Sequence, residues 1–180
     1  MDSSPSTGTI VTSRLRRYAV DHHKVKALAK MLARHLAVDD RALEIGFVGA
    51  RRMRTLNQKF RHKDRSTDVL SFPQQEWSRP QPVQLRPRKK PTAKDGTPPP
   101  VLGDLVISLA DAERNAHNIG QALDREVCFL MIHGMLHLVG HDHGAPTEER
   151  RMLAAQRSLV RIVSAPQRRA IWQRCVRVRA

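Results

Sequence analysis

The stretch ALDREVCFLMIHGMLHLVG (122–140) is apolar on nearly every face of a helix. A helix of that kind has no polar side to turn toward water, so it must run through the middle of a domain with the other elements built around it. With 180 residues the chain is long enough for one such core. Only four Phe, two Trp and one Tyr are available, which predicts a core that is mainly aliphatic.

That buried helix also carries imidazoles. HGMLHLVGHDH (133–143) holds four of the chain's nine histidines. His133 and His137 are one helical repeat apart, about 40° around the axis, and project from one face. Gly140 falls where the helix should end and can adopt the left-handed conformation that turns His141 or His143 back toward that face. Burying several imidazoles without partners costs about 1–3 kcal/mol each, and a shared metal ion removes the cost. Three neutral imidazoles suit Zn²⁺ at about 2.0–2.1 Å with the fourth position open, whereas a structural zinc takes four protein ligands, usually with thiolates. The only cysteines, Cys128 and Cys175, are far apart in the chain and form no CxxC pair; Cys128 reads as a small core residue in a reducing interior. An open site points to catalysis. The HExxH proteases place a general-base Glu directly after the first His, and here that position is Gly134, so a metalloprotease keeps its ligands and loses its base.

The elements around this helix can be read from periodicity. Val25, Leu28, Ala29, Leu32 and Leu36 predict a surface helix over 24–36 with a basic outer face. ALEIGFVG (42–49) alternates as a half-buried strand with Leu43, Ile45 and Phe47 inward, and a short helix follows through Met53, Leu56 and Phe60. TDVLSFP (67–73) reads as a second strand, and GDLVISLADAERNAH (103–117) as a strand running into a helix capped by Ser108. Asp104 reads as a turn cap. TEERRMLAAQRSLVRIV (147–163) predicts a final helix with Thr147 as its cap. The Pro- and Arg-rich segment 73–102 reads as an extended, mobile loop, and the Arg-rich end as a polyanion-binding candidate or a solvated tail.

The formal net charge of +15 favours polyanionic partners, nucleic acid first. With so few aromatics, contacts should be made to phosphates and be salt-sensitive rather than read bases by stacking. No run of 18 apolar residues occurs, and the start MDSSPSTGT lacks a secretory apolar segment, so the expectation is a cytoplasmic protein with no membrane partner.

HGMLHLVGHDH, together with NQKFRHKDRSTDVLSFP (57–73) and LGDLVIS (102–108), resembles the YbeY family of metal-dependent bacterial endoribonucleases that act in ribosomal RNA maturation and ribosome quality control. The three blocks occur in the family's order. The resemblance implies a compact single α+β domain, a small mixed sheet covered by helices, with the metal on the buried helix in a zincin-like histidine pair. It implies one Zn²⁺ per chain held by His133, His137 and His143, with His141 beside the ligands or facing substrate and weakly a general base. Asp142 would orient a ligand imidazole, and Arg61 after Phe60 would be the functional arginine, clamping a phosphodiester and its transition-state charge. Asp68 and Ser71 would border the cleft. The organisation expected is a polar extension at 1–11, the RNase domain at 12–163 and an Arg-rich tail at 164–180. Arg86, Arg88, Lys89 and Lys90 in the loop and Arg168, Arg169 and Arg174 in the tail are candidate RNA contacts. Implied partners are single-stranded and ribosomal RNA, the small ribosomal subunit, a ribosomal protein near its platform and the GTPase Era; the activity implied is maturation of the 3′ end of 16S rRNA. The competing readings are a non-catalytic, zinc-stabilised ribosome-assembly factor and a metalloprotease-type hydrolase. The chain departs from the family pattern in its long 73–102 segment, its two ends, and His62, where a Gly is common.

Overall fold

A computed structural model describes residues 8–86 and 99–179. Arg88, Lys89 and Lys90, and residues 1–7 of the expected extension, lie outside the described residues. Strands β1 (Thr9–Ser13) and β2 (Tyr18–Val20) lead into α1 (His22–His35), followed by β3 (Ala42–Val48), α2 (Ala50–Arg61) and β4 (Val69–Pro73). Then come β5 (Val101–Ser108), α3 (Leu109–Asn118), α4 (Leu123–Leu138), α5 (Pro146–Ser164), α6 (Pro166–Trp172) and β6 (Val176–Val178). The main sheet has the order β1-β3-β5-β4, with β1, β3 and β5 parallel and β4 antiparallel to β5. This is the mixed sheet and α+β class expected.

The alternation of β3 is realised: Leu43, Ile45 and Phe47 are buried, and Ile45 pairs with Val11 on one side and Leu105 on the other. Helix α4 is the hub. Val127, Met131, Ile132, Met135, Leu136 and Leu138 are all at or below 1 % exposed, and they span about half of its circumference. The helix lies tightly against the sheet at Gly134, where an added Cβ would stand 2.1 Å from the Leu105 Cδ1 and 3.1 Å from the Ser71 Oγ. Gly134 is therefore the residue that lets the helix lie against β4 and β5. Any side chain there would also face the sheet, so the position that carries the base in HExxH is closed in this fold. Both cysteines are free and buried, and burial pushes each thiol up to about 12, which leaves them as inert packing groups.

Helix starts follow local chemistry. Asp21 accepts from the Lys24 N–H at 3.1 Å to cap α1, and Ser108 accepts from the Asp111 N–H to cap α3. The start of α5 differs from expectation. Its cap is Ala145, because Pro146 with its fixed φ takes the first helical position, and Glu148 accepts from the Ala145 N–H at 3.1 Å. Thr147 thus lies inside the helix. Asp104 also differs: it is mid-strand in β5, opposite Glu44 and Phe72.

The expected boundaries shift at both ends. Residues 9–11 of the polar extension belong to β1, and Val11 is buried against the sheet. The Arg-rich end from 164 is folded rather than a loose tail. Trp172 donates to the Val163 carbonyl at 2.9 Å, Cys175 and Val176 are buried, and β6 pairs antiparallel with β2. The first part of the 73–102 segment is likewise anchored. Gln81 and Gln84 donate their backbone N–H groups to the Val139 and His35 carbonyls, and the Trp77 indole donates to the Leu138 carbonyl at 2.9 Å. Composition hid this strap because backbone hydrogen bonds and one indole anchor it, not an apolar periodicity.

Candidate active site

Helix α4 presents His133 and His137 side by side with their Nε2 atoms 3.2 Å apart. The helix closes with the Gly140 N–H bonded to the His137 carbonyl and the His141 N–H bonded to the Leu136 carbonyl, a Schellman turn. Gly140 sits at φ 87°, the left-handed conformation the turn requires. The reversal carries His143 back, so that its ring centroid is 5.2 Å from that of His137 and 6.2 Å from that of His133. One ring nitrogen from each of the three lies within 4.8 Å of the others.

This donor set fits a metal ion. Two imidazole nitrogens bound to one tetrahedral Zn²⁺ stand about 3.3 Å apart, the spacing already present between His133 and His137. His133 has its Nδ1 3.0 Å from the Gln156 Oε1 on α5, so its Nδ1–H donates there and Nε2 keeps a free lone pair. Burial, then the neighbouring His133 and His143, push His137 down to about 4 against the opposing pull of Asp142, which keeps it neutral as a ligand must be. Gln156 carried no signal in the sequence, because it is one polar residue on a helix far along the chain.

His141 is not part of the trio. Its Nε2 is 2.8 Å from the Gln81 carbonyl of the strap, the ring is 6 % exposed, and Nδ1 is sealed from solvent without a partner among the described residues. The ring lines the cleft, but its Nε2 is taken up by the strap and its Nδ1 is sealed. The ring ties the turn that carries His143 to the strap. Asp142 accepts from the His143 backbone N–H at 2.8 Å, while its carboxylate is 3.9 Å from the His143 Nδ1, so it shapes the loop and makes no hydrogen bond to the imidazole.

These histidines form one wall of a cleft of about 570 Å³ whose opposite side comes from the end of α2, the loop after it and β4. Arg61 lines it from the last turn of α2 and has no hydrogen bond or ion pair among the described residues. Lys63 and Arg65 line it too. They belong to the 57–73 block but were not singled out by sequence reasoning. Asn57 shapes that loop: its buried side chain donates to the Arg65 carbonyl at 2.8 Å and its own carbonyl accepts from the Lys63 N–H. His62 sits between these cations at φ 57°, the left-handed end of α2, and this is the physical reason a Gly is common there.

Asp68 and Ser71 line the cleft, and both are engaged. Asp68 accepts from the Val69 N–H at 2.8 Å and from the Asn115 side chain at 3.0 Å, and Ser71 donates to the Gly134 carbonyl at 3.1 Å. They fix β4 to α3 and α4. Arg86, Arg168, Arg169 and Arg174 do not line the cleft. Arg168 and Arg169 reach the Ile162 and Ser164 carbonyls, and the Arg174 backbone N–H donates to Asp124.

Residues 11–164 match the family model described as Endoribonuclease YbeY. The Endoribonuclease YbeY of Geobacillus kaustophilus is 35% identical over 145 residues, covering 78% of this chain and 87% of that protein. That of Caldanaerobacter subterraneus is 37% identical over 133 residues, covering 74% and 79%. The solution structure of a Thermotoga maritima protein superposes with a TM-score of 0.58 at 23% identity, covering 90% of this chain and 93% of that one, and so shares the fold. With three histidines clustered so that they could hold a metal ion, and with the family model matching most of its length, the chain belongs to the YbeY family of endoribonucleases.

Proposed function

We propose that this protein is a zinc-dependent endoribonuclease that cleaves single-stranded RNA in the maturation of the 3′ end of 16S rRNA in the cytoplasm. The observation that carries the reading is the convergence on one cleft of three imidazoles and Arg61, which has no partner among the described residues. His133, His137 and His143 would hold the ion, which when bound polarises a phosphodiester and makes a water more acidic. Arg61 is placed to grip the phosphodiester and to stabilise the charge that grows on it as the bond breaks. Lys63 and Arg65 extend the cationic wall and orient the strand on either side, while Gln156 and the His141–Gln81 contact hold the ligand helix and its turn in place. Within this reading the small ribosomal subunit, a protein of its platform and the GTPase Era are the partners, and ribosome quality control is the wider setting. Arg86, Arg88, Lys89, Lys90, Arg168, Arg169 and Arg174 would add salt-sensitive phosphate contacts.

The test compares wild type, His137→Ala and Arg61→Ala on a labelled single-stranded RNA, with circular dichroism for folding. Loss of zinc-dependent cleavage in both folded variants supports the proposal. A zinc-loaded wild type that leaves RNA intact, or an Arg61→Ala variant with full activity, overturns it.

A further inference from the structure

A second depression of about 460 Å³ lies on the far side of Gln156 from the metal-ligand cluster, between α4, α5 and α6. Its floor is apolar: Phe129 is 39% exposed, and Ile132, Val160, Val163 and Trp172 complete it. Its rim is cationic on both sides, with Arg125 from α4 facing Arg157 and Arg161, which stand one helical repeat apart on α5. All three arginines are exposed, and none has a carboxylate partner among the described residues. An apolar trough between two helices, edged by unpaired guanidinium groups, is complementary to a helix with one apolar stripe flanked by carboxylates.

We infer that the α4–α5–α6 groove is a docking site for an acidic amphipathic helix of a partner protein. The apolar stripe would seat on Phe129, Ile132 and Val160, and flanking Glu or Asp side chains would pair with Arg125, Arg157 and Arg161. RNA fits less well. Single-strand platforms use aromatic faces, and this floor is mostly aliphatic, with Phe129 its one clearly exposed ring. The groove is lined by different residues from the catalytic cleft, so an occupant here leaves the cleft free.

The probe is a fluorescein-labelled helical peptide of roughly two heptads, with Leu at the stripe positions and Glu between them, titrated by anisotropy against the full-length zinc-loaded protein. A scrambled peptide of the same composition is its control. The expected result is micromolar binding that is about tenfold weaker for the scrambled peptide. It should also weaken about tenfold in Arg125→Glu/Arg157→Glu and fall with Phe129→Ser, while the charge-matched Arg51→Glu/Arg52→Glu control, outside the groove, stays within about twofold of wild type. Cleavage of single-stranded RNA should be unchanged in Arg125→Glu/Arg157→Glu. Three results overturn the inference: no binding, equal binding of the scrambled peptide, or equal loss in the two charge-reversed proteins. So does a single-stranded RNA whose affinity falls in Arg125→Glu/Arg157→Glu and not in Arg51→Glu/Arg52→Glu, since that puts RNA in the groove.

Discussion

Replacing Gln156 with Leu keeps a side chain of similar size and removes the acceptor that faces the His133 Nδ1 at 3.0 Å. That hydrogen bond does two things: it holds the ring in plane with the site, and it fixes the tautomer in which Nε2 is free to bind a metal. Partners of this kind contribute about 10–100-fold to metal affinity, or roughly 1.4–2.7 kcal/mol. Gln156→Leu should therefore bind zinc about 10–100-fold more weakly in a chelator competition, with circular dichroism unchanged and RNA cleavage recovered at saturating zinc. Gln156→Glu, whose carboxylate also accepts from Nδ1–H, should retain wild-type affinity or exceed it. A Gln156→Leu protein with wild-type zinc affinity refutes the assignment of the tautomer to this contact.

His62→Gly should raise the thermal midpoint, because a residue with a Cβ pays about 1–2 kcal/mol in the left-handed conformation at φ 57° and glycine's extra chain entropy offsets only about half of it; an unchanged or lower midpoint refutes this. Gly134→Ala should destabilise by about 1–3 kcal/mol in urea unfolding despite alanine's better helix propensity, since its Cβ would stand 2.1 Å from the buried Leu105 side chain. In the metal-free protein, His137 is held at about 4 in the fold against about 6.5 in the unfolded chain, so between those values the unfolded state binds more protons. Stability should accordingly fall as pH drops from about 6.5 to about 4, and His137→Gln should flatten that slope in pH-dependent urea melts; a slope of opposite sign refutes it.

What the sequence made legible was what periodicity and local chemistry control. The all-apolar face of α4 and the alternation of β3 placed the core, and the His spacing with Gly140 gave the His133–His137 pair and a turn returning His141 or His143 to it, while the choice of His143 came from the family resemblance. The parts that stayed hidden are held by single contacts between distant residues. Strands β1, β2 and β6 are short, so alternation over so few positions cannot separate them from loop. Their place is set by pairing with β3 or with each other. The strap at 74–86 is fixed by backbone groups and Trp77, and Gln156 and Asn57 act through one hydrogen-bonding side chain each. None of these leaves a pattern that repeats along the chain.

The same contacts decide which variant separates an enzyme from a metal-stabilised assembly factor. Around the last turns of α4, Ser71 binds the Gly134 carbonyl, Gln156 binds His133, Trp77 binds the Leu138 carbonyl and the strap holds His141. The ligand helix is thus also the hub of the core, and a metal bound there stabilises the fold by mass action, about 2.7 kcal/mol at a hundredfold excess over its dissociation constant. Both readings therefore expect ligand variants to lose stability. Arg61 is different: it ends α2 on the opposite wall, is exposed, and holds no other residue in place among those described. Its removal subtracts a cation from the cleft and nothing from the core. Loss of cleavage in a fully folded, zinc-loaded Arg61→Ala protein is accordingly explained by chemistry at the cleft and not by stability.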